Sequence, residues 1–249
     1  MTPEHQSHAG LRSDVTLLWR KADESAAEKA LEFLSSAEKE RLARFRSRPA
    51  AVEYACGHAL LREALSELAS VDPPDWRFLV GEHGRPDVDP DQPGLPGHLR
   101  QLSVNLSHTR GLCLVGLSLR GDIGVDTEWR ERGNDLRRLA RYKFAAAERR
   151  WLDEPSEESE FRRRFFAIWT LKESYVKARG TGISIPLDGF AFHLEPERPP
   201  RISFVPDFDP DLERWHFGLL DHEALHQCAW ALRTREPNAA TPSVEVEEL

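Results

Sequence analysis

Four residues have the types and spacings from which a reaction can be built. Asp126 and Glu128 stand two apart in Gly124-Val125-Asp126-Thr127-Glu128. Glu173 and Lys177 stand four apart in Trp169-Thr170-Leu171-Lys172-Glu173-Ser174-Tyr175-Val176-Lys177. Positions two apart on a strand leave the same face, and so do positions four apart on a helix. Side-by-side carboxylates repel unless protons or a cation join them. Magnesium takes a few carboxylates and leaves its other positions to water and substrate phosphates. Glu173 would add a third oxygen ligand or a general base, and Lys177, one turn on, would neutralise a phosphate. Read alone, the acid pair also suits a solvent-facing strand end, and Glu173 with Lys177 an ordinary surface ion pair. Neither plain reading accounts for Trp169 on the same helical stripe, or for the apolar run Ile123-Gly124-Val125 that leads into the acids.

Weaker signals surround these four. Ser107 and His108 follow the alternating stretch around Leu102, Val104 and Leu106, where a hydroxyl, an imidazole and loop amides could meet a phosphate. Lys39, Arg41, Arg44 and Arg46 crowd one short stretch that also reads as a solvated basic face. His222 and His226 have ligand-like spacing but straddle a predicted turn and strand. There is no Gly-x-Ser-x-Gly elbow, no Walker A loop and no dinucleotide-binding glycine fingerprint.

Those residues need positioning elements, and the chain supplies them in order. Val15 to Trp19 reads as a first strand. Ser35 and Glu38 form a capping box opening a helix that carries Arg41 and Arg44 with Leu42 and Phe45 inward. Pro49 opens a long helix to about Ala69 with a broad apolar face. Trp76 to Val80 is a strand, Gly81 to Pro86 a turn and Asp87 to His98 a loop. Two strands ending at Ser107-His108-Thr109 and spanning Leu112 to Leu119 make a hairpin. The acid-bearing strand follows Arg120-Gly121-Asp122. Helices are expected from about Leu136, from Ala145 to Leu152 and from Glu160 to Arg179, the last stopped by Gly180. Ile183 to Leu187 should be extended. Phe190 to Leu194, Ile202 to Phe204, Trp215 to Leu220 and His226 to Leu232 read as strands, the last two a hairpin.

The resulting fold class is α+β, with two similar halves, each a helix packed on a small antiparallel sheet, arranged as a pseudo-dimer. The expected divisions are a disordered 1–13, an N-terminal half 14–121, a C-terminal half 122–235 and a disordered acidic tail 236–249. No residue-level repeat marks the duplication.

Composition bounds the function. The chain has 249 residues, 40% hydrophobic and 31% charged, with a net charge of −8. That balance suits a globular protein and disfavours sequence-blind nucleic-acid binding, which needs a basic face. The basic stretch from Arg137 to Arg150 leaves room for a polyanionic ligand or an acidic partner. No apolar run has the length of a membrane span. Cys56, Cys113 and Cys228 lack metal-ligand spacing and read as reduced, buried thiols in a cytoplasmic protein.

Taken together the motifs resemble the 4′-phosphopantetheinyl transferases of the large, pseudo-dimeric Sfp type. The family's acidic strand appears as Gly124 to Glu128 and its helical motif as Trp169 to Lys177. Its Gly-Lys-Pro turn appears as Gly84-Arg85-Pro86, and its Asn-x-Ser-His-Ser strand end as Asn105-Leu106-Ser107-His108-Thr109. All arrive in the family's order over about residues 15 to 232, with Arg85 for lysine and Thr109 for serine as departures. The resemblance implies a magnesium-dependent transfer of phosphopantetheine from coenzyme A to a serine of an acyl or peptidyl carrier protein, releasing adenosine 3′,5′-bisphosphate. It implies that Arg41, Arg44, Arg85, Ser107, His108 and Lys172 contact the coenzyme, with Asp126 and Lys177. It implies Asp126, Glu128 and Glu173 as metal ligands. Lys177 would support the attacked phosphate, and Glu173, directly or through a bound water, would take the serine proton. A monomer is expected, since both halves of the cleft lie in one chain. The competing reading is a coenzyme A-binding regulator that keeps the fold without the reaction.

Overall fold

The chain is described by a computed structural model covering residues 11–81, 86–133, 135–180, 182, 185–205 and 211–249. It opens with β1 (Val15–Lys21), two short helices, α1 (Glu24–Ala30) and α2 (Ser36–Leu42), and the long α3 (Arg48–Leu68). Asp23 caps α1 by accepting from the Ala26 amide, and Ser35 with Glu38 forms the expected capping box on α2. Pro49 sits in the first turn of α3, where its missing N–H costs nothing. The small hairpin of β2 (Phe78–Val80) and β3 (Pro86–Val88) comes next, then the hairpin of β4 (Ser103–Thr109) and β5 (Leu112–Ser118).

At Gly121 the same order begins again. β6 (Gly121–Trp129) leads into short helices α4 (Leu136–Lys143) and α5 (Ala146–Asp153) and the long α6 (Glu158–Arg179). The hairpin of β7 (Phe190–His193) and β8 (Arg201–Phe204) and that of β9 (Trp215–His222) and β10 (His226–Thr234) follow. The sheets repeat as well, β1-β5-β4 in the first half and β6-β10-β9 in the second. The expected pair of helix-on-sheet halves is therefore present as a full repeat of element order. The repeat is invisible residue by residue because each half packs different side chains.

Each long helix covers the outer face of its own sheet. α3 buries Cys56, Leu60, Leu61 and Leu65 against Leu18, Val104 and Val115. α6 buries Leu171, Tyr175 and Val176 against Phe217, Ala229 and Ala231. Between the sheets, Val15, Leu17, Leu112 and Leu114 meet Ile123, Val125, Trp230 and Leu232. This seam is also polar along one line. β6 is an edge strand, so alternate amides have no backbone partner. The side chains of Ser103, Asn105 and Ser107 accept from the amides of Ile123, Val125 and Thr127 at 3.0, 2.9 and 3.3 Å. β4 is thus buried on both faces rather than one, because its polar residues complete a neighbouring strand.

Gly124 sets the closeness of α6 to β6. A Cβ there would lie 2.1 Å from the Ser174 carbonyl oxygen and 2.4 Å from the Ala178 nitrogen. Gly180 ends α6 at φ 70°, the left-handed turn expected of it.

Several expectations need correction. The acidic tail is not disordered throughout. β11 (Val244–Glu248) pairs in parallel with β1, and the Arg20 Nε donates to the Leu249 carbonyl at 2.8 Å. The open edge of β1 offers unpaired backbone groups that β11 takes up, and Val244 and Val246 of β11 stay exposed. At the other end, residues 1–10 lie outside the described residues, whereas Leu11 packs on the first core and the Ser13 hydroxyl bonds the Val15 carbonyl. α2 ends at Leu42, leaving Arg44 and Arg46 beyond it. The span expected to be loop from Asp87 holds the end of β3. Leu187 begins a short 3-10 turn rather than ending an extended run. The turn carrying Arg85 lies outside the described residues. Cys56, Cys113 and Cys228 are buried and unpaired, and burial pushes the Cys56 and Cys228 thiols up to about 11.

Candidate active site

β6 and α6 form one wall of an open cleft of about 460 Å³, and the end of β4 forms the other. It is lined by Ser107, His108, Asp126, Glu128, Arg132, Trp169, Glu173 and Lys177, among others. Asp126 and Glu128 share a face of β6 as their spacing requires, and Trp169, Glu173 and Lys177 face them from successive turns of α6. Gly124 is the reason they are near, since it lets the helix lie on the strand.

Lys177 is the meeting point of the halves. Its Nζ donates to Asp126 Oδ1 at 2.8 Å, to the Val125 carbonyl at 2.9 Å and to Ser107 Oγ at 2.9 Å. The Ser107 hydroxyl in turn donates to Asp126 Oδ1 at 3.1 Å. The other Asp126 oxygen, Oδ2, is buried with no hydrogen-bond partner among the described residues. An unpartnered buried carboxylate oxygen is costly, and a hard cation or a hydrogen-bond donor would satisfy it.

Glu128 is held differently. Nη1 of Arg132 donates to both its oxygens at 2.7 and 2.8 Å, and the Trp169 indole donates to Oε1 at 3.0 Å. Burial first, and then the neighbouring Asp126 charge, pushes the Glu128 carboxyl above the usual range despite Arg132. Burial and Asp126 push Glu173 upward in the same way, with Lys177 opposing. Three acids therefore share one cleft, but among the described residues no three His, Cys, Asp or Glu groups already form a ligand set. Asp126 is turned to Lys177 and Glu128 to Arg132. The convergence expected on one divalent ion is present as a neighbourhood, not as a closed cage.

Other expected residues fall in three groups. His108 lies at the mouth of the cleft, its Nδ1 3.2 Å from Glu53 on α3. Arg41 and Arg44 are exposed and not part of the cleft lining, and Arg41 rests 5.3 Å from the Tyr54 ring. Lys172 is a correction. Its neighbour Glu173 faces the cleft, but one residue is about 100° of helix, and Lys172 points into the core. It is fully buried, with Nζ 2.9 Å from Glu148 and donating to the Leu187 and Phe190 carbonyls at 2.7 and 2.8 Å. Lying in the core and outside the cleft lining, Lys172 is out of reach of a coenzyme bound there. Burial pushes its pKa down and that of Glu148 up, while their mutual attraction opposes both shifts.

Arg132, Glu53 and the Ser103–Asn105 ladder were not picked out from sequence. The ladder left a signal in the polar alternation along β4. Arg132 and Glu53 left none, since their partners are set by the fold.

The duplication offers a second corner of the same kind, between β1 and β9. It holds Trp19 tilted against His222 with ring centroids 4.2 Å apart, and Lys21 paired to Glu223 at 2.9 Å. No pair of carboxylates stands two apart on β1, so the two corners differ in chemistry.

Comparison with known proteins decides the family. The chain is 31% identical over 199 residues to the 4′-phosphopantetheinyl transferase HetI of Nostoc sp. (strain PCC 7120), covering 79% of this chain and 81% of that one. The chain belongs to the 4′-phosphopantetheinyl transferases. The sequence pattern of the 4′-phosphopantetheinyl transferase superfamily matches residues 122–231, the stretch that carries β6 and α6. The 4′-phosphopantetheinyl transferase Sfp of Bacillus subtilis (strain 168) is 28% identical over 169 residues, 67% of this chain and 69% of that one. Among solved structures, a holo-(acyl-carrier-protein) synthase from Bacillus anthracis in complex with CoA (3′,5′-ADP) matches 47% of this chain and 98% of its own, at 18% identity and a TM-score of 0.40. As a phosphopantetheinyl transferase the chain is an enzyme, and no helix among its described residues is long and apolar enough to cross a membrane.

Proposed function

We propose that this cleft moves the phosphopantetheine arm of coenzyme A onto a carrier-protein serine. In this reading Asp126, Glu128 and Glu173 would hold a magnesium ion. The fit rests on hard oxygen donors only, and on the buried Asp126 Oδ2 without a partner. When bound, the ion neutralises diphosphate charge and polarises the phosphoryl group.

The chain's own residues do the remaining work. Phosphoryl transfer depends mostly on positioning and charge neutralisation. The Lys177 ammonium supports the attacked phosphate, and Ser107 and His108 hold neighbouring phosphate oxygens at the strand end. Arg41, Arg44 and Arg85 would serve the nucleotide. Glu173 takes the serine proton. Burial keeps it more basic than a free carboxylate, which suits a proton acceptor.

The halves divide the labour, with 14–121 carrying the nucleotide contacts and 122–235 the metal and proton chemistry. Because one chain supplies both walls, it works as a monomer. Its unpaired buried thiols suit the reducing cytoplasm. The carrier docks on α4, which carries Arg138, Arg141 and Lys143 together with Tyr142, a ring left 71% exposed. An acidic partner helix would cover that ring and meet the charges.

The observation that carries the reading is the Lys177 ammonium bridging Asp126 and Ser107 across the seam. The test is an apo-carrier protein incubated with coenzyme A, with and without magnesium and a chelator. Gain of one phosphopantetheine by mass, lost on chelation, supports it. Transfer that is indifferent to chelation removes the metal, and release of inorganic phosphate without a carrier points to a different phosphoryl-transfer reaction.

A further inference from the structure

Arg132 stands where no family motif in the sequence points, yet it holds one of the cleft's three acids directly. It follows β6 in a turn, is one quarter exposed, and gives Nη1 to both oxygens of Glu128. Its Cζ lies 5.7 Å from the Trp169 ring, whose indole holds the same carboxylate. Its Nε is buried with no partner among the described residues. The turn does not depend on this side chain, because Arg162 bonds the backbone carbonyls of Arg130 and Arg132 at 3.0 and 2.9 Å. A guanidinium with a spare N–H, held on an acid inside a cleft, is placed for exchange rather than for structure.

Formal charge explains the exchange. Asp126, Glu128 and Glu173 are three negative charges facing Lys177 and Arg132, so the free cleft carries about one net negative charge. A divalent ion entering alone would leave it positive, and a diphosphate entering alone would leave it strongly negative. The two together restore the starting balance. A cation already resting on Glu128 opposes the metal by itself, and one released from Glu128 has the diphosphate beside it.

We propose that Arg132 is a donor-phosphate residue kept in reserve on Glu128. It keeps divalent metal off that carboxylate in the free enzyme and passes to the diphosphate when donor and metal enter together. Arg132 is therefore a positioning residue for Glu128 and a binding residue for the donor, and it makes metal uptake depend on coenzyme A. This rests on the metal-dependent reading above.

The test is manganese(II) binding followed by electron paramagnetic resonance, on the full chain, with and without coenzyme A. Wild type should bind manganese weakly alone and more tightly with coenzyme A. In Arg132→Gln the competing cation is gone, so binding without coenzyme A should tighten roughly fivefold to tenfold. The gain on adding coenzyme A should shrink, and KM for coenzyme A should rise roughly tenfold with a smaller change in kcat. Arg132→Lys, which keeps charge but not the planar fork, should fall between them. A merely structural arginine would lower thermal stability and kcat without tightening manganese on the free protein. Unchanged or weaker manganese binding by free Arg132→Gln, beside a wild type that binds it with coenzyme A, overturns the proposal and leaves the metal reading standing. A wild type that binds no manganese even with coenzyme A overturns both.

Discussion

Lys177 and Asp126 meet at 2.8 Å, with Ser107 of the other half bonded to both. This junction ties the duplicated halves together at the place where the acids gather. An ammonium already seated on a carboxylate is oriented before any ligand arrives, which lowers the cost of reorganising it later.

Lys177→Ala should leave Asp126 buried without its cation and remove charge at the attacked phosphate. Transfer should fall about 100- to 1000-fold in kcat, the range seen when one preorganised electrostatic donor is lost. Steady-state kinetics checks this, and a change confined to KM would place Lys177 in ground-state binding alone.

Gly124→Ala should test whether the helix-to-strand approach positions the site. The added carbon meets backbone atoms, which cannot rotate away, so α6 must shift. A stability loss of about 1–3 kcal/mol is expected, with transfer reduced further than folding accounts for. Denaturant melts and activity on the folded fraction report both.

Lys172→Met should be a stability variant and not a coenzyme-binding one. It strands the Glu148 carboxylate in the core, at a cost of about 3–5 kcal/mol. Adding Glu148→Gln should recover much of that loss. KM for coenzyme A, measured on the folded double variant, should stay within about twofold of wild type, since small changes away from a site are near-neutral. A large rise would restore Lys172 to the donor site.

Glu38 gives a pH signature outside the cleft. Burial alone would push its carboxyl up, but bonds from His58, Arg62 and Ser35 outweigh that and hold it at about 2. Because the folded value is depressed, the stabilisation is fully present above the ordinary value near 4.5 and is lost as pH falls from there toward about 2. The whole span is worth on the order of 3 kcal/mol. Glu38→Gln should flatten the acid limb of a stability–pH profile, and an unchanged limb would contradict the assignment.

Charge reversal of Arg138 and Arg141 should raise KM for the carrier roughly tenfold through lost electrostatic complementarity and leave KM for coenzyme A alone. Equal effects on both substrates would remove α4 as the docking face.

How much of this was legible follows from range in the chain. Asp126 with Glu128, and Trp169 with Glu173 and Lys177, are related by spacings of two and four, so strand and helix geometry places them before any fold is known. Gly180 and the Ser35–Glu38 cap are equally local. Lys172 misled because it adjoins Glu173 in sequence while its partner, Glu148, comes from another helix. His108 with Glu53, and Glu128 with Trp169, are pairings that only the packing of each long helix on its own half's strands creates. The tail misled for a physical reason too. Its acidity reads as disorder, yet the open edge of β1 takes up the backbone of β11.

The central claim is that Glu173, on the cleft shared by Asp126, Glu128 and Lys177, serves transfer to a carrier serine. The direct measurement is the mass of an apo-carrier protein after incubation with coenzyme A and magnesium, using wild type and Glu173→Ala matched for folded protein by circular dichroism. Wild type should add one phosphopantetheine per carrier, and Glu173→Ala should slow this by about 100-fold or more. A Glu173→Ala enzyme that modifies the carrier at the wild-type rate would contradict the account.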